Sequence, residues 1–321
     1  MKKPNFFIVG APKCGTTALY EYLKSHPQVF LSKPKEPHYF ADDFGDRFRI
    51  CTDEETYLTK FFAGANTHNA VGEASAAYLY SRNAIPNIKK FNPGARLIIM
   101  VRNPADMAYS AHSLLVYSFY EDEKDFAKAW ALQDERKAGR KIPKKCVVPV
   151  FLQYKDLISV GAQLQRAYTH FPREQVKVIF FDDLKSNPAA VYSETLRFLG
   201  LPLDNRSDFS VVNANKRHRI EWVSRSFNYI PHPVIQLVRK VKKMVGLEKL
   251  GIVEMVNKLN QVHTSRSPLP ESVRQNIIAS VHRDIDLLEN LTGRDLSSWK
   301  THDEAMSLHR KEAKGASSSM P

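Results

Sequence analysis

The sequence predicts an α/β fold, a parallel β-sheet flanked by helices on both faces, with a helical, basic C-terminal extension. Three observations predict it. Apolar, β-branched or aromatic runs recur at 5–9, 28–31, 70–73, 96–101 and 176–181, several without polar alternation, as strands buried on both faces require. Helical patterns fill the intervals, at about 15–25, 104–118, 124–138, 150–170 and 188–199, and such alternation builds parallel sheets covered on both sides. Finally, the chain opens on a strand that runs through a glycine-containing turn directly into a helix.

That opening segment is Asn5-Phe-Phe-Ile-Val-Gly-Ala-Pro-Lys-Cys-Gly-Thr-Thr17. Its context is that of an anion cradle: free backbone N–H groups at a helix start, the positive end of the helix dipole, and a lysine within reach. In the ATP-type P-loop the lysine directly follows the second glycine. Here Gly10 and Gly15 keep the spacing, Thr16 takes the lysine's place, and the lysine stands two residues before Gly15, as Lys13. The sheet is therefore P-loop-like, but the loop suits a phosphate-like group other than Mg-ATP. Cys14 is a candidate either for a lowered pKa at the helix start or, more plainly, for a small residue that fills the loop.

The fourth run, Arg96-Leu-Ile-Ile-Met-Val-Arg102, reads as a buried strand whose last residue is an arginine. A guanidinium there points into the ligand crevice of a parallel sheet. Asn103-Pro104 then starts a helix, since proline at the first helical position sacrifices no hydrogen bond. Ser110 lies about two turns along that helix and could offer a hydroxyl to the same anion. Two anion sites at separate strand ends suit a ligand with two phosphate-like groups.

Pro12-Lys-Cys-Gly-Thr-Thr-Ala-Leu19 resembles the 5′-phosphosulfate loop of sulfotransferases that use 3′-phosphoadenosine 5′-phosphosulfate (PAPS). Val101-Arg-Asn-Pro104, with Ser110 eight residues after the arginine, is similar to that family's 3′-phosphate motif. Val178-Ile-Phe-Phe-Asp-Asp-Leu-Lys-Ser-Asn-Pro188 resembles its strand, acidic turn and Pro-led helix, and Asn213-Ala-Asn-Lys-Arg-His-Arg219 stands where the family has a late basic loop. The resemblance covers about residues 5–220 and is nearest the branch with the heparan sulfate N- and O-sulfotransferases and their bacterial relatives. It implies that Lys13, Cys14, Gly15, Thr16, Thr17 and Ala18 hold the 5′ end of PAPS. Arg102 and Ser110 would hold the 3′-phosphate, with Lys216, Arg217 and, less directly, Arg219 closing over it.

Sulfuryl transfer needs a base for the acceptor's proton. Lys33-Pro-Lys-Glu-Pro-His-Tyr-Phe40 matches the E-x-H-[FY]-F setting of the family's glycan branch, which implies Glu36 as base and His38 as a residue that orients the acceptor or Glu36. Taken alone, Glu36 could simply pair with Lys33 or Lys35. Gly72-Glu-Ala-Ser-Ala-Ala-Tyr78 offers Glu73, Ser75 and Tyr78 as acceptor-pocket candidates, with Glu73 alternatively a structural partner of the basic loops. Where the glycan enzymes often carry a lysine, this chain has Ala74. The acceptor would be a hydroxyl or amine on a glycan, lipid or small molecule, and no metal is expected.

The 321 residues carry 47 lysines and arginines against 34 aspartates and glutamates, a net charge of +13. Such a field attracts anions of every kind. Between 205 and 250 stand ten basic residues and three acidic ones, and within 233–250 a basic amphipathic pattern reads either as a lid helix or as a peripheral membrane contact. The sequence reads as one domain over 1–309, a core of about 5–204 with an extension or lid at 205–309 and no strand after Asp204, followed by a disordered tail at 310–321. No apolar run approaches a membrane span, no signal peptide is legible before the first strand, and three cysteines imply no disulfide framework. A cytoplasmic enzyme is the expectation, membrane-associated if 233–250 is a peripheral contact. An ATP-Mg kinase would need an acid where Arg102 stands. A nucleic-acid binder would interleave exposed aromatics with basic residues, and no nucleic-acid partner is expected.

Overall fold

Five consecutive buried residues, Phe6–Gly10, form the central strand β1. In the computed structural model, residues 2–204, 206–209, 216–218, 261–263 and 267–300 are described. The other strands of the sheet are β2 (Val29–Leu31), β3 (Ala70–Ala74), β4 (Arg96–Val101) and β5 (Val176–Phe180). Their order is β2-β3-β1-β4-β5, and every neighbouring pair is parallel. Phe6 stands opposite Gly72 on one side and Arg96 on the other. Gly72 has no alternative there, because a Cβ would lie 2.1 Å from the Phe6 ring.

The connection leaving β1 turns toward β2, and the one leaving β4 turns toward β5. Neighbouring strands whose connections diverge leave a crevice beyond their carboxyl ends. Here it opens beyond Gly10 and Val101, where the two predicted anion sites lie.

The five strands fall on the predicted apolar runs. Helix α1 (Thr16–Lys24) follows β1, α2 (Glu54–Phe62) and α3 (Ala84–Phe91) flank β3, and α4 (Pro104–Tyr117) follows β4. The expected helix at 124–138 is two, α5 (Phe126–Ala131) and α6 (Gln133–Lys137), meeting at Leu132. The expected helix at 150–170 is a 3-10 turn (Pro149–Leu152), α7 (Tyr154–Ile158) and α8 (Val160–Tyr168). Its break has a partner: both carboxylate oxygens of Asp284 accept from the first turn of α8, from Gly161 N–H and Ala162 N–H, each at 2.8 Å. Beyond β5 come α9 (Phe181–Ser186) and α10 (Pro188–Leu199).

Two compact units make up the chain, 1–210 with 269–321, and 211–268. In the first, α11 (Glu271–Ser280) packs on α4, and α12 (His282–Thr292) packs on α8, followed by α13 (Ser297–Lys300). In the second, β6 (Lys216–His218) and β7 (Gln261–His263) form an antiparallel pair, with Arg217 opposite Val262. This pair corrects the expectation that no strand follows Asp204: extended segments of three residues leave no periodicity to read. The basic stretch 233–250 and the tail 310–321 lie outside the described residues. Among those described, no helix is long and apolar enough to cross a membrane.

Candidate active site

The loop from Gly10 to Gly15 is shaped by backbone conformation. Lys13 and Gly15 both have positive φ, 66° and 89°, which turns the chain sharply into α1, and only glycine adopts such a conformation without steric cost. At Gly15 the space is also closed, since a Cβ would lie 2.9 Å from the Phe181 ring. Ala11 N–H is bonded to Met100 O at 2.7 Å, tying the loop to β4. No side chain caps α1; Ala18 N–H bonds Gly15 O at 2.9 Å, and the N–H groups of Thr16 and Thr17, with the helix dipole, face the position of an anion. Thr16 and Cys14 are buried here, while Lys13, Gly15, Thr17 and Ala18 are half-buried.

Cys14 takes the plainer of its two predicted readings. Burial pushes its thiol up to about 12, against the opposing pull of Arg102 and Lys13, and its sulfur lies 3.7 Å from Met107 Sδ. A neutral thiol filling the loop is the result.

Arg102 closes the other side of the crevice. Its Nη1 donates to the Lys13 carbonyl at 3.2 Å, so the two anion sites predicted from separate motifs are physically joined. The guanidinium lies over the Phe181 ring at 4.6 Å, and its Nε is buried with no hydrogen-bond partner among the described residues. A buried, unpaired cationic donor calls for an anion. Asn103 caps α4, accepting from Ala105 N–H at 3.0 Å, and Pro104 stands at the first helical position as predicted. Ser110 is buried on the same helix.

Glu36 and His38, the residues predicted for the acceptor side, hang on the end of β3. Beyond β2 and β3 the chains stay paired: Ser32 N–H bonds Gly72 O and Glu36 N–H bonds Ala74 O, both at 3.0 Å. Side chains continue the ladder. His38 N–H donates to Ser75 Oγ at 3.1 Å and Phe40 N–H to the Tyr78 hydroxyl at 3.2 Å. Glu36 and His38 both have positive φ, so these bonds hold an otherwise unfavourable turn. Glu36 Oε2 accepts from Ala76 N–H at 2.9 Å, and Oε1 pairs with Lys35.

His38 Nε2 lies 3.7 Å from Glu36 Oε2, beyond hydrogen-bond distance. Its ring is stacked on Phe48 with centroids 4.1 Å apart. Burial lowers its pKa, against the opposing pull of Glu36, so at neutral pH the imidazole is uncharged.

Glu73 differs from both of its predicted readings. It is wholly buried and, among the described residues, forms no ion pair; instead Tyr57 donates to its Oε2 and Ser75 to its Oε1. Burial raises its pKa to about 7, against the lowering effect of the Tyr57, Ser75 and Tyr78 hydroxyls. It stands behind the 36–40 loop as a support, through Ser75, and Tyr57, absent from the sequence reading, is its partner.

The two halves of the site adjoin. Ser75 N–H bonds Ile8 O at 3.1 Å and Leu79 N–H bonds Val9 O at 2.7 Å, so the 75–79 segment runs along the end of β1 just before the cradle. For Lys216 and Arg217 only the backbone, in β6, is described, and Arg219 lies outside the described residues. Among the described residues, no cluster of histidine, cysteine and carboxylate side chains could hold a metal.

Residues 3–244 match the family described as Sulfotransferase domain. The human Bifunctional heparan sulfate N-deacetylase/N-sulfotransferase 3 is 29% identical over 224 residues, which are 66% of this chain and 24% of that protein. Mouse Carbohydrate sulfotransferase 15 is 28% identical over 259 residues, 64% of this chain and 45% of that protein. The chain thus spans less than half the length of these relatives. Among solved structures, a sulfotransferase from Alicyclobacillus acidocaldarius superposes with a TM-score of 0.69 at 28% identity, over 94% of this chain and 100% of that one.

Proposed function

Because the chain belongs to the sulfotransferase family, we propose that it moves the sulfuryl group of PAPS to a hydroxyl or amine acceptor, on a glycan, lipid or small molecule. The observation that carries this reading is the bond from Arg102 to the Lys13 carbonyl, which unites a loop cradle and a buried guanidinium in one crevice. A ligand with phosphate-like groups at two ends fits such a pair. The open first turn of α1 and the unpaired Arg102 Nε are donors that suit it.

When bound, PAPS supplies the activated sulfuryl group. The backbone N–H groups and hydroxyls at Gly15, Thr16 and Thr17 hold the 5′-phosphate, and Cys14 and Ala18 shape the loop around it. Lys13 would stabilise the negative charge on the departing phosphate oxygen as its bond to sulfur breaks. Arg102 and Ser110 hold the 3′-phosphate, and Lys216 and Arg217 come from the late basic segment. Glu36 accepts the acceptor's proton as its oxygen or nitrogen attacks sulfur from the side opposite the bridging oxygen. His38, neutral and stacked on Phe48, orients the acceptor. Catalysis on this scheme is positioning and charge stabilisation, as in phosphoryl transfer, with no metal.

Calorimetry with adenosine 3′,5′-bisphosphate and with ATP-Mg tests the donor assignment. Binding of the bisphosphate and not of ATP-Mg is expected, and the reverse preference would overturn it. Labelled PAPS offered with glycan, lipid and phenolic acceptors then identifies the acceptor. For 233–250, co-sedimentation with anionic liposomes tests the peripheral membrane contact. Loss of binding on changing Lys240, Lys242 and Lys243 to glutamate is expected.

A further inference from the structure

The sequence motifs leave out Arg274, on α11, and the family match ends thirty residues before it. Its Nη2 donates to Asp106 Oδ1 at 2.7 Å, and its Nη1 lies 3.5 Å from Asn103 Oδ1. The other oxygen of Asp106 lies 3.8 Å from Arg102 Nη2. One carboxylate therefore stands between two guanidiniums, in close contact with Arg274 and loose contact with Arg102.

We propose that Arg274 is a positioning residue for donor binding: by drawing the Asp106 carboxylate to itself, it keeps Arg102 available as the anchor for the 3′-phosphate. This rests on the assignment of Arg102 to that phosphate. The three groups together carry one net positive charge, and without Arg274 they carry none. Closing the gap from Asp106 to Arg102 takes about 1 Å to reach ordinary charge-assisted hydrogen-bond length. A carboxylate on the Arg102 fork would occupy donors that a phosphate needs and cancel the charge that attracts it. Asp106 has a second reason to be present, since an acid in the first turn of α4 complements the helix dipole. Arg274 reconciles that requirement with an anion site one turn away.

The test is calorimetry on the full chain with adenosine 3′,5′-bisphosphate and adenosine 5′-monophosphate, which lacks the 3′ group. Arg274→Ala is expected to weaken the bisphosphate roughly three- to tenfold, the scale of one partly exposed ion pair, and to leave the monophosphate unchanged. Adding Asp106→Asn to Arg274→Ala is expected to restore bisphosphate affinity, and Arg274→Lys to preserve most of it. A double variant as weak as Arg274→Ala, or no effect of Arg274→Ala, would overturn the proposal and leave Arg274 as a tie between α11 and α4. Should Arg274→Ala fail to fold, Asp106→Asn alone decides, since it must bind the bisphosphate at least as tightly as the unaltered chain. Arg102→Ala separates the two levels. If it leaves bisphosphate affinity unchanged, the underlying assignment of Arg102 fails; if it weakens affinity while Arg274→Ala does not, only the role of Arg274 fails.

Discussion

Ser75 Oγ donates to Glu73 Oε1 at 2.7 Å and, on its other side, accepts the His38 N–H at 3.1 Å. A buried carboxyl thus supports the backbone of the 36–40 loop through one hydroxyl. Its state has a thermodynamic consequence. With a folded pKa raised to about 7 from an ordinary 4.5, Glu73 keeps its proton in the native state over a range where the unfolded chain has lost it. Stability from this group is complete below about pH 4.5 and is lost as pH rises through 7. The loss amounts to about 3 kcal/mol. Urea unfolding from pH 5 to 8 should show this decline, and Glu73→Gln, fixed in the neutral form, should flatten it.

Glu36→Gln keeps the size of the side chain and its bond from Ala76 N–H but removes the proton acceptor. Turnover should fall at least a hundredfold, the usual scale for a general base, while the KM for PAPS stays within about twofold because no donor contact changes. Near-normal transfer would remove Glu36 as the base. Steady-state kinetics with labelled PAPS makes the measurement.

Lys13→Ala should likewise abolish turnover, whereas Arg102→Ala should act chiefly on affinity for PAPS and its product. The contrast follows from the proposed roles: Lys13 would meet the charge that develops and Arg102 the far phosphate, whose binding would be the same before and after transfer. Single-turnover rates at saturating PAPS separate the two effects.

Gly15→Ala meets two obstacles, a φ of 89° and a Cβ 2.9 Å from the Phe181 ring. Because Phe181 also supports the Arg102 guanidinium, pushing that ring aside disturbs both ends of the crevice. A loss of about 1–3 kcal/mol in unfolding free energy and a clear drop in bisphosphate affinity are expected. Thermal unfolding with and without ligand reports both.

Much of the fold was legible because buried parallel strands are continuous apolar runs, and all five lie where the pattern put them. Their order was not legible, since lateral neighbours leave no trace in a single sequence. Helix α2 was missed although Asp53 caps it through Thr56 N–H at 2.7 Å, with Glu54 and Glu55 in its first turn. Those acids could have identified it. At the site, the cradle and Arg102 follow from local spacing, so they were readable from one segment each. The partnership of Glu73 with Tyr57 joins consecutive elements 16 positions apart, and the contact of Arg274 with Asp106 joins elements far apart in the chain. In the second case the partners are 168 positions apart, and no local pattern marks either.

The bond between Gly161 N–H and the Asp284 carboxylate spans 123 residues, and it sets a timetable for biosynthesis. At about 5–20 residues per second, Asp284 leaves the ribosome roughly 6–25 seconds after its partner. From the synthesis of β5 until Arg274 and Asp284 emerge, the nascent protein has every strand of its main sheet but lacks the arginine that occupies Asp106 and the acid that satisfies the α8 amides. An mRNA truncated between the codons for β5 and Arg274 should therefore yield a chain with all five strands of the sheet and neither of these two ties.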